Sequence, residues 1–273
     1  MEKPELRRPA VAGQFYPASA EELAAQIDGF LDKKAARTDA IGCVLPHAGY
    51  VYSGTVAGAV ISRLEPKQKI FLLGPNHTGF GTPFSVMASG RWLTPLGEVP
   101  VDESLARSLL SASDIFIDDE LGHLHEHSLE VEIPFFQRQT GDFSIVPVAI
   151  ASDSLKLLKE AGKAVASVIN SFNLKGKALI CASSDMTHYE PQNEARRKDR
   201  YAIDAIIALD EDALFRQVRQ LGISMCGYAP VCVMISAARG LGAKKGELVR
   251  YMTSGDTSGD FSSVVGYAGI LIK

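Results

Sequence analysis

The sequence predicts one α/β domain over residues 1–273, with a mostly parallel or mixed central sheet and helices on both faces. Three observations predict it. Five short apolar runs bounded by Pro, Gly, Asn or Ser recur between residues 41 and 272, helical stretches alternate with them, and no linker rich in Pro, Gly or Ser divides the chain. Short apolar runs suit strands buried on both faces. Alternation of strand and helix specifies parallel neighbours joined by crossovers.

The first element is a helix, SAEELAAQIDGFLDKK, opened by a capping box in which Ser19 and Glu22 serve each other's amides. The strand IGCVLPH (41–47), the helix SGTVAGAVISRL (53–64) and the strand KIFLLGPNH (69–77) follow. The strand FSIVPVAI (143–150) leads into the helix SDSLKLLKEAGKAVASVINSF (152–172). Next come the strand ALICASSDMTH (178–188), the helix NEARRKDRYAIDAIIALD (193–210) and the strand VVGYAGILI (264–272). The doubled TSGD at 253–260 reads as a turn-rich loop before the last strand.

Composition narrows the function. With 28 Lys and Arg against 32 Asp and Glu, the formal charge is −4, which implies neither nucleic acid nor an anionic membrane as partner. The first residues lack the apolar core of a secretory signal and no run of ~18 apolar residues occurs, so the expected location is cytoplasmic. Four cysteines form no C-x-x-C pair. Cys43 and Cys181 fall inside strands and Cys232 inside an apolar helix, where a free thiol acts as a small hydrophobe.

Histidines fall where chemistry is expected. His47, His77 and His188 each lie just beyond the apolar part of a strand, and in open α/β sheets ligands bind outside the carboxyl ends of the strands. His47 and His77 are expected to meet as the ends of neighbouring parallel strands joined by one helix. Pro46 and Pro75 stiffen their approach, while Gly49, Gly74 and Gly79 permit tight turns. Imidazoles on rigid loops suit zinc, iron, copper or nickel. In HLHEHSLE (123–130), His123 and His125 read as members of a polar loop, Ser128 as the cap of the following helix, and His127 as the functional member. Asp185, three residues before His188, is expected to orient it through a ring nitrogen. Arg7 and Arg8 are too near the terminus to be given a role.

The blocks PAVAGQFYP, LPHAGYVYSG, LGPNHTG, TPLGEVPVD, EHSLEVEIPF, SSDMTHY, MCGYAP and SGDTSGD occur in this order, and with them the chain resembles the Memo family nearly end to end. That family is similar in fold to the class III extradiol ring-cleaving dioxygenases, which hold iron(II) with two histidines and a carboxylate. The resemblance implies His47, His77 and Cys226 as metal ligands, with the cysteine in place of the carboxylate. It implies His188 and His127, with Asp185, as the acid–base or oxygen-binding groups. The implied cofactor is iron(II) or copper, with zinc as a further candidate.

Two functions follow from the resemblance. One is a metal-binding protein whose crevice also takes a partner protein or peptide, and a radical S-adenosylmethionine enzyme is the implied companion in the same pathway. The alternative is a metal-dependent redox enzyme or oxygenase using the same residues. A thiolate is softer than a carboxylate and is itself oxidisable, which weighs against ring cleavage. Phe15 stands where animal members carry tryptophan, so the site keeps an aromatic but not the same one.

Overall fold

The computed structural model describes residues 6–273, so the first five residues of the expected domain lie outside the described ones. Strand β1 (Leu6–Arg7) precedes helix α1 (Ala20–Phe30), where Ser19 accepts from the Glu22 amide at 3.4 Å. The helix stops earlier than its sequence pattern, because Leu31 is extended and the Asp32 amide turns to Ser62 Oγ. Next come β2 (Gly42–Leu45), α2 (Tyr50–Arg63), β3 (Lys69–Pro75) and β4 (Phe84–Val86). A hairpin of β5 (Arg91–Thr94) and β6 (Gly97–Pro100), then α3 (Glu103–Ala112), β7 (Ile117–Asp118), α4 (Leu121–Leu124) and α5 (Ile133–Thr140), fill the long interval before β8 (Ser144–Ile150). The chain ends with α6 (Leu155–Ser171), β9 (Ala178–Ser183), β10 (His188–Glu190), α7 (Gln192–Ile207), α8 (Glu211–Gln220), α9 (Tyr228–Gly240), β11 (Gly246–Thr253), α10 (Gly255–Ser258) and β12 (Val264–Ile272).

All five apolar runs are strands of one large mixed sheet with helices on both faces. Its spatial order is β10-β12-β2-β9-β3-β8-β4-β7, with β11 also paired to β12. The centre, β2-β9-β3-β8, is parallel, whereas β12 runs antiparallel to β2 and β4 antiparallel to β8. One expectation is corrected here: β2 and β3 are not neighbours, because β9 lies between them. Both still end at the same edge of the sheet, and β9 brings Ser183 and Asp185 up between their ends.

Burial explains the apolar runs. Every residue of β2, β8 and β9 is buried, and α9 lies over β9 and β3 while α2 lies over β12 and β2. A fully buried Phe71, Leu72 or Ile180 contributes ~1.5–3 kcal/mol. Gly74 serves close packing rather than a turn, since a Cβ there would stand 2.6 Å from both Ser128 Oγ and Leu129. Gly79 does use its freedom, with φ +71° in the loop after His77.

A second, three-stranded sheet, β1-β5-β6, ties the N-terminal segment down. It overturns the dismissal of Arg7, whose side chain is fully buried. The guanidinium pairs with Glu130, lies 4.4 Å from the Trp92 ring centre, and donates to the carbonyls of His123 and Glu126. The expected cap at Ser128 is also corrected. Its hydroxyl donates to the Pro75 carbonyl at 3.0 Å, and a single 3-10 turn (Glu130–Glu132) leads into α5. Among the described residues no helix is long and apolar enough to cross a membrane.

Candidate metal centre

His47, His77 and Asp185 each stand two residues past the ends of β2, β3 and β9, and Cys226 stands two residues before α9. Parallel strands deliver them to one crevice. The rings of His47 and His77 are 5.1 Å apart, and the ligand atoms of His47, His77 and Cys226 lie within 4.8 Å of one another. Cys226 Sγ is 3.2 Å from His47 Nε2 and accepts from the Asp185 amide at 3.3 Å.

Hydrogen bonds fix which nitrogens face the crevice. Glu126, almost fully buried, lies 2.9 Å from His77 Nδ1 and accepts from the amides of His77, His127 and Ser128. Burial works to raise its pKa, but the His77 ring bond and these amides prevail and hold it at about 2. An ionised carboxylate only accepts, so His77 Nδ1 carries a proton and Nε2 is the ring nitrogen left to face the crevice. His47 Nδ1 lies 2.8 Å from Ser183 Oγ, which turns its Nε2 toward Cys226. Burial, then the nearby His77 and His127, hold His47 well below its usual range. Burial, then the charge of Asp185, pushes the Cys226 thiol up. Both shifts favour the neutral forms, and the sulfur lies within hydrogen-bond reach of His47 Nε2 and, at 3.6 Å, of the Asp185 carbonyl.

The remaining expected residues separate. His127 belongs to the crevice: its ring stacks on His77 at 4.9 Å, lies 5.5 Å from His47, and meets the edge of Phe15 at 4.8 Å. Burial lowers its pKa despite the opposing charge of Glu126. His123 does not join; it is buried beside Trp92 with Nε2 3.0 Å from the Ser85 carbonyl. His125 is exposed.

Asp185 departs from its expected use. Its carboxylate accepts the amides of His47, at 2.9 Å, and Ala48, and so clamps the turn after Pro46. His188 is held instead by Ser224, whose carbonyl lies 3.0 Å from Nδ1 and whose hydroxyl accepts the His188 amide at 2.7 Å. The reason is topological, because His188 begins β10, which leaves the crevice to pair with β12. A carbonyl only accepts, so the ring carries a proton on Nδ1 and turns Nε2 away from Ser224. Asp185 is pushed up to about 6 by burial, with His188 and the two amides working against that rise.

Sequence reasoning missed Glu126, Ser183, Ser224 and Glu132. Only Glu126 carried a local signal, an acid set between two histidines in HEH. The others are ordinary serines and an acid of an amphipathic stretch until the fold brings them behind the crevice. The donor set fits a transition ion: two imidazole nitrogens with their far nitrogens already committed, and one sulfur whose proton a metal would displace.

The comparisons with known proteins agree over nearly the whole chain. A family model described as Memo, Memo-like protein, matches residues 7–271. A MEMO1 family protein of Methanopyrus kandleri is 41% identical over 281 residues, covering 98% of this chain and 99% of the relative. One of Methanosarcina acetivorans is 42% identical over 98% of this chain and 100% of its own, and one of Aquifex aeolicus 43% over 97% and 98%. With a family model matched over residues 7–271 and relatives 41–43% identical over nearly the full length of both chains, the chain belongs to the Memo family.

Proposed function

We propose that this protein is a cytoplasmic metal-binding protein that holds iron(II) or copper, with zinc as a weaker alternative, through His47, His77 and Cys226. The observation that carries this reading is the approach of three donor atoms within 4.8 Å, from residues 30 to 179 positions apart in the chain. A bound transition ion would supply Lewis acidity or one-electron redox chemistry. The protein supplies the rest: Glu126 and Ser183 orient the two rings, and Asp185 fixes the backbone beside His47.

The crevice also suits a partner segment. Tyr52, Phe80 and Tyr189, exposed by 41%, 61% and 78%, follow His47, His77 and His188 by five, three and one residues and leave aromatic surface available to a partner. A protein or peptide would bind there, and a radical S-adenosylmethionine enzyme is the class of companion that the family resemblance implies. Metal analysis of protein purified without added metal or chelator tests the primary reading. Near-stoichiometric iron or copper that is lost in His77→Ala supports it, and metal-free protein that takes up neither ion sinks it.

A second reading, a redox enzyme or oxygenase of extradiol type, is favoured by His188, which is partly exposed and holds a free Nε2. In that reading His127 and Asp185 assist it. His188→Ala would then keep metal and fold while losing ~10²-fold or more of turnover. Loss of metal in step with His188 would make it a ligand instead.

A further inference from the structure

Behind His47 lies a hydrogen-bond arrangement whose proton count has one solution. Ser183 Oγ has three partners: the Ser128 carbonyl at 2.7 Å, His47 Nδ1 at 2.8 Å and Glu132 Oε1 at 2.9 Å. A hydroxyl gives one proton and accepts through two lone pairs. The Ser128 carbonyl can only accept, so the Ser183 proton goes there. Both remaining contacts must then be donations to Ser183, one from Nδ1–H of His47 and one from a protonated carboxyl of Glu132. An ionised Glu132 would leave Ser183 with one proton for two acceptors, and one oxygen pair would face each other unbonded inside 3 Å.

Burial points the same way. Glu132 is 1% exposed, its Oε2 has no hydrogen-bond partner, and the charged group acting on it is another carboxyl, Asp185. An unpaired buried carboxylate is far costlier than a neutral acid with one bare carbonyl oxygen. Burial raises the Glu132 pKa well above the usual range, and Asp185 adds to this while the Ser183 bond opposes it.

We propose that Glu132 is a neutral acid and a positioning residue: it donates its proton to Ser183, which is thereby fixed as the acceptor of His47 Nδ1–H, and His47 Nε2 is held with its lone pair toward Cys226. The role of Nε2 as a ligand rests on the metal-binding reading above; the protonation of Glu132 does not.

Infrared spectroscopy of the metal-free full chain at pH 8, with and without carboxyl-labelled ¹³C-glutamate and beside Glu132→Gln, tests the protonation. The expected result is a carbonyl-stretch band of a protonated glutamic acid that moves on labelling and is missing in Glu132→Gln. Absence of such a band from the labelled parent overturns the proposal. Positioning is tested with cobalt(II) as a probe, by affinity and by the ligand-field spectrum. Glu132→Gln, whose amide still donates to Ser183, should match the parent in both. Glu132→Leu should change the spectrum and lose ~10–100-fold in affinity, the usual scale for a partner behind a metal ligand. An unaltered spectrum and affinity in Glu132→Leu would remove the positioning role, and a Gln variant as impaired as Leu would contradict the neutral donor. Failure of the parent to bind cobalt(II), with the infrared band present, would count against the metal reading alone.

Discussion

The two ends of the parallel strands handle charge in opposite ways. At the amino ends acids meet cations: Lys67 pairs with Asp39, Lys69 with Asp102 at 2.6 Å, and Glu247 with Lys273 at 2.5 Å and Arg63 at 2.7 Å. At the carboxyl ends Glu126 and Asp185 are buried against imidazoles and backbone amides, with a thiol beside them. The first arrangement is complete in itself and contributes modest stability. The second gathers acceptors and soft donors around one point, which is the electrostatic setting that a cation completes.

The largest expected effect that would break this contrast is in Cys226→Ser. Affinity for copper(I) or zinc should fall by more than the ~10–100-fold that loss of an outer partner costs, because a ligand itself is lost. Competition titration reads the affinity, and a lowered melting temperature with unchanged binding would make Cys226 a core thiol. Next is Glu126→Gln, which cannot accept at both oxygens and loosens His77. A fall of ~10–100-fold in metal affinity is expected, together with ~1–3 kcal/mol of stability from amides left without an acceptor. An affinity equal to the parent's would show that His77 is oriented by something else.

The pH dependence of binding sharpens the contrast further. The Cys226 pKa is raised, so the thiol is protonated at neutral pH and a metal must displace that proton. Apparent affinity should therefore rise with pH by about tenfold per unit while one proton is released. Buffer-dependent calorimetry counts the proton, and zero release would mean that sulfur does not ligate.

The smallest effect belongs to the amino ends. Glu247 is held at about 2 by its bonds to Lys273 and Arg63, so its contribution to stability is complete above pH 4.5 and is lost as pH falls through about 2. Its partners are about one-third exposed, and Lys273→Met should cost only ~0.2–1 kcal/mol in a denaturant titration. Metal affinity should not change, and any loss of it would mean that the two ends are coupled.

How much of this was legible in the sequence depended on whether the signal was local. His47 and His77 could be read because each stands at the end of an apolar strand bracketed by proline and glycine. Cys226 came from its block and not from spacing. The strand order was not legible, since nothing in the local pattern of β9 says that it inserts between β2 and β3. That insertion is what places Ser183 and Asp185 beside His47 and Cys226. Arg7 was invisible for a related reason: a two-residue strand beside charged neighbours reads as a solvated end until β5 and Glu130 cover it. Asp185 and His188 are three apart in sequence, but the turn between them sends one to the backbone of His47 and the other to Ser224.

X-ray absorption of the full chain loaded with one equivalent of copper(I) tests the central claim most directly. The expected ligand shell has two imidazole nitrogens and one sulfur, and the sulfur contribution should vanish in Cys226→Ser while the imidazole signal remains. A shell of oxygens, or one without sulfur in the parent protein, would contradict the assignment of His47, His77 and Cys226 as a metal centre.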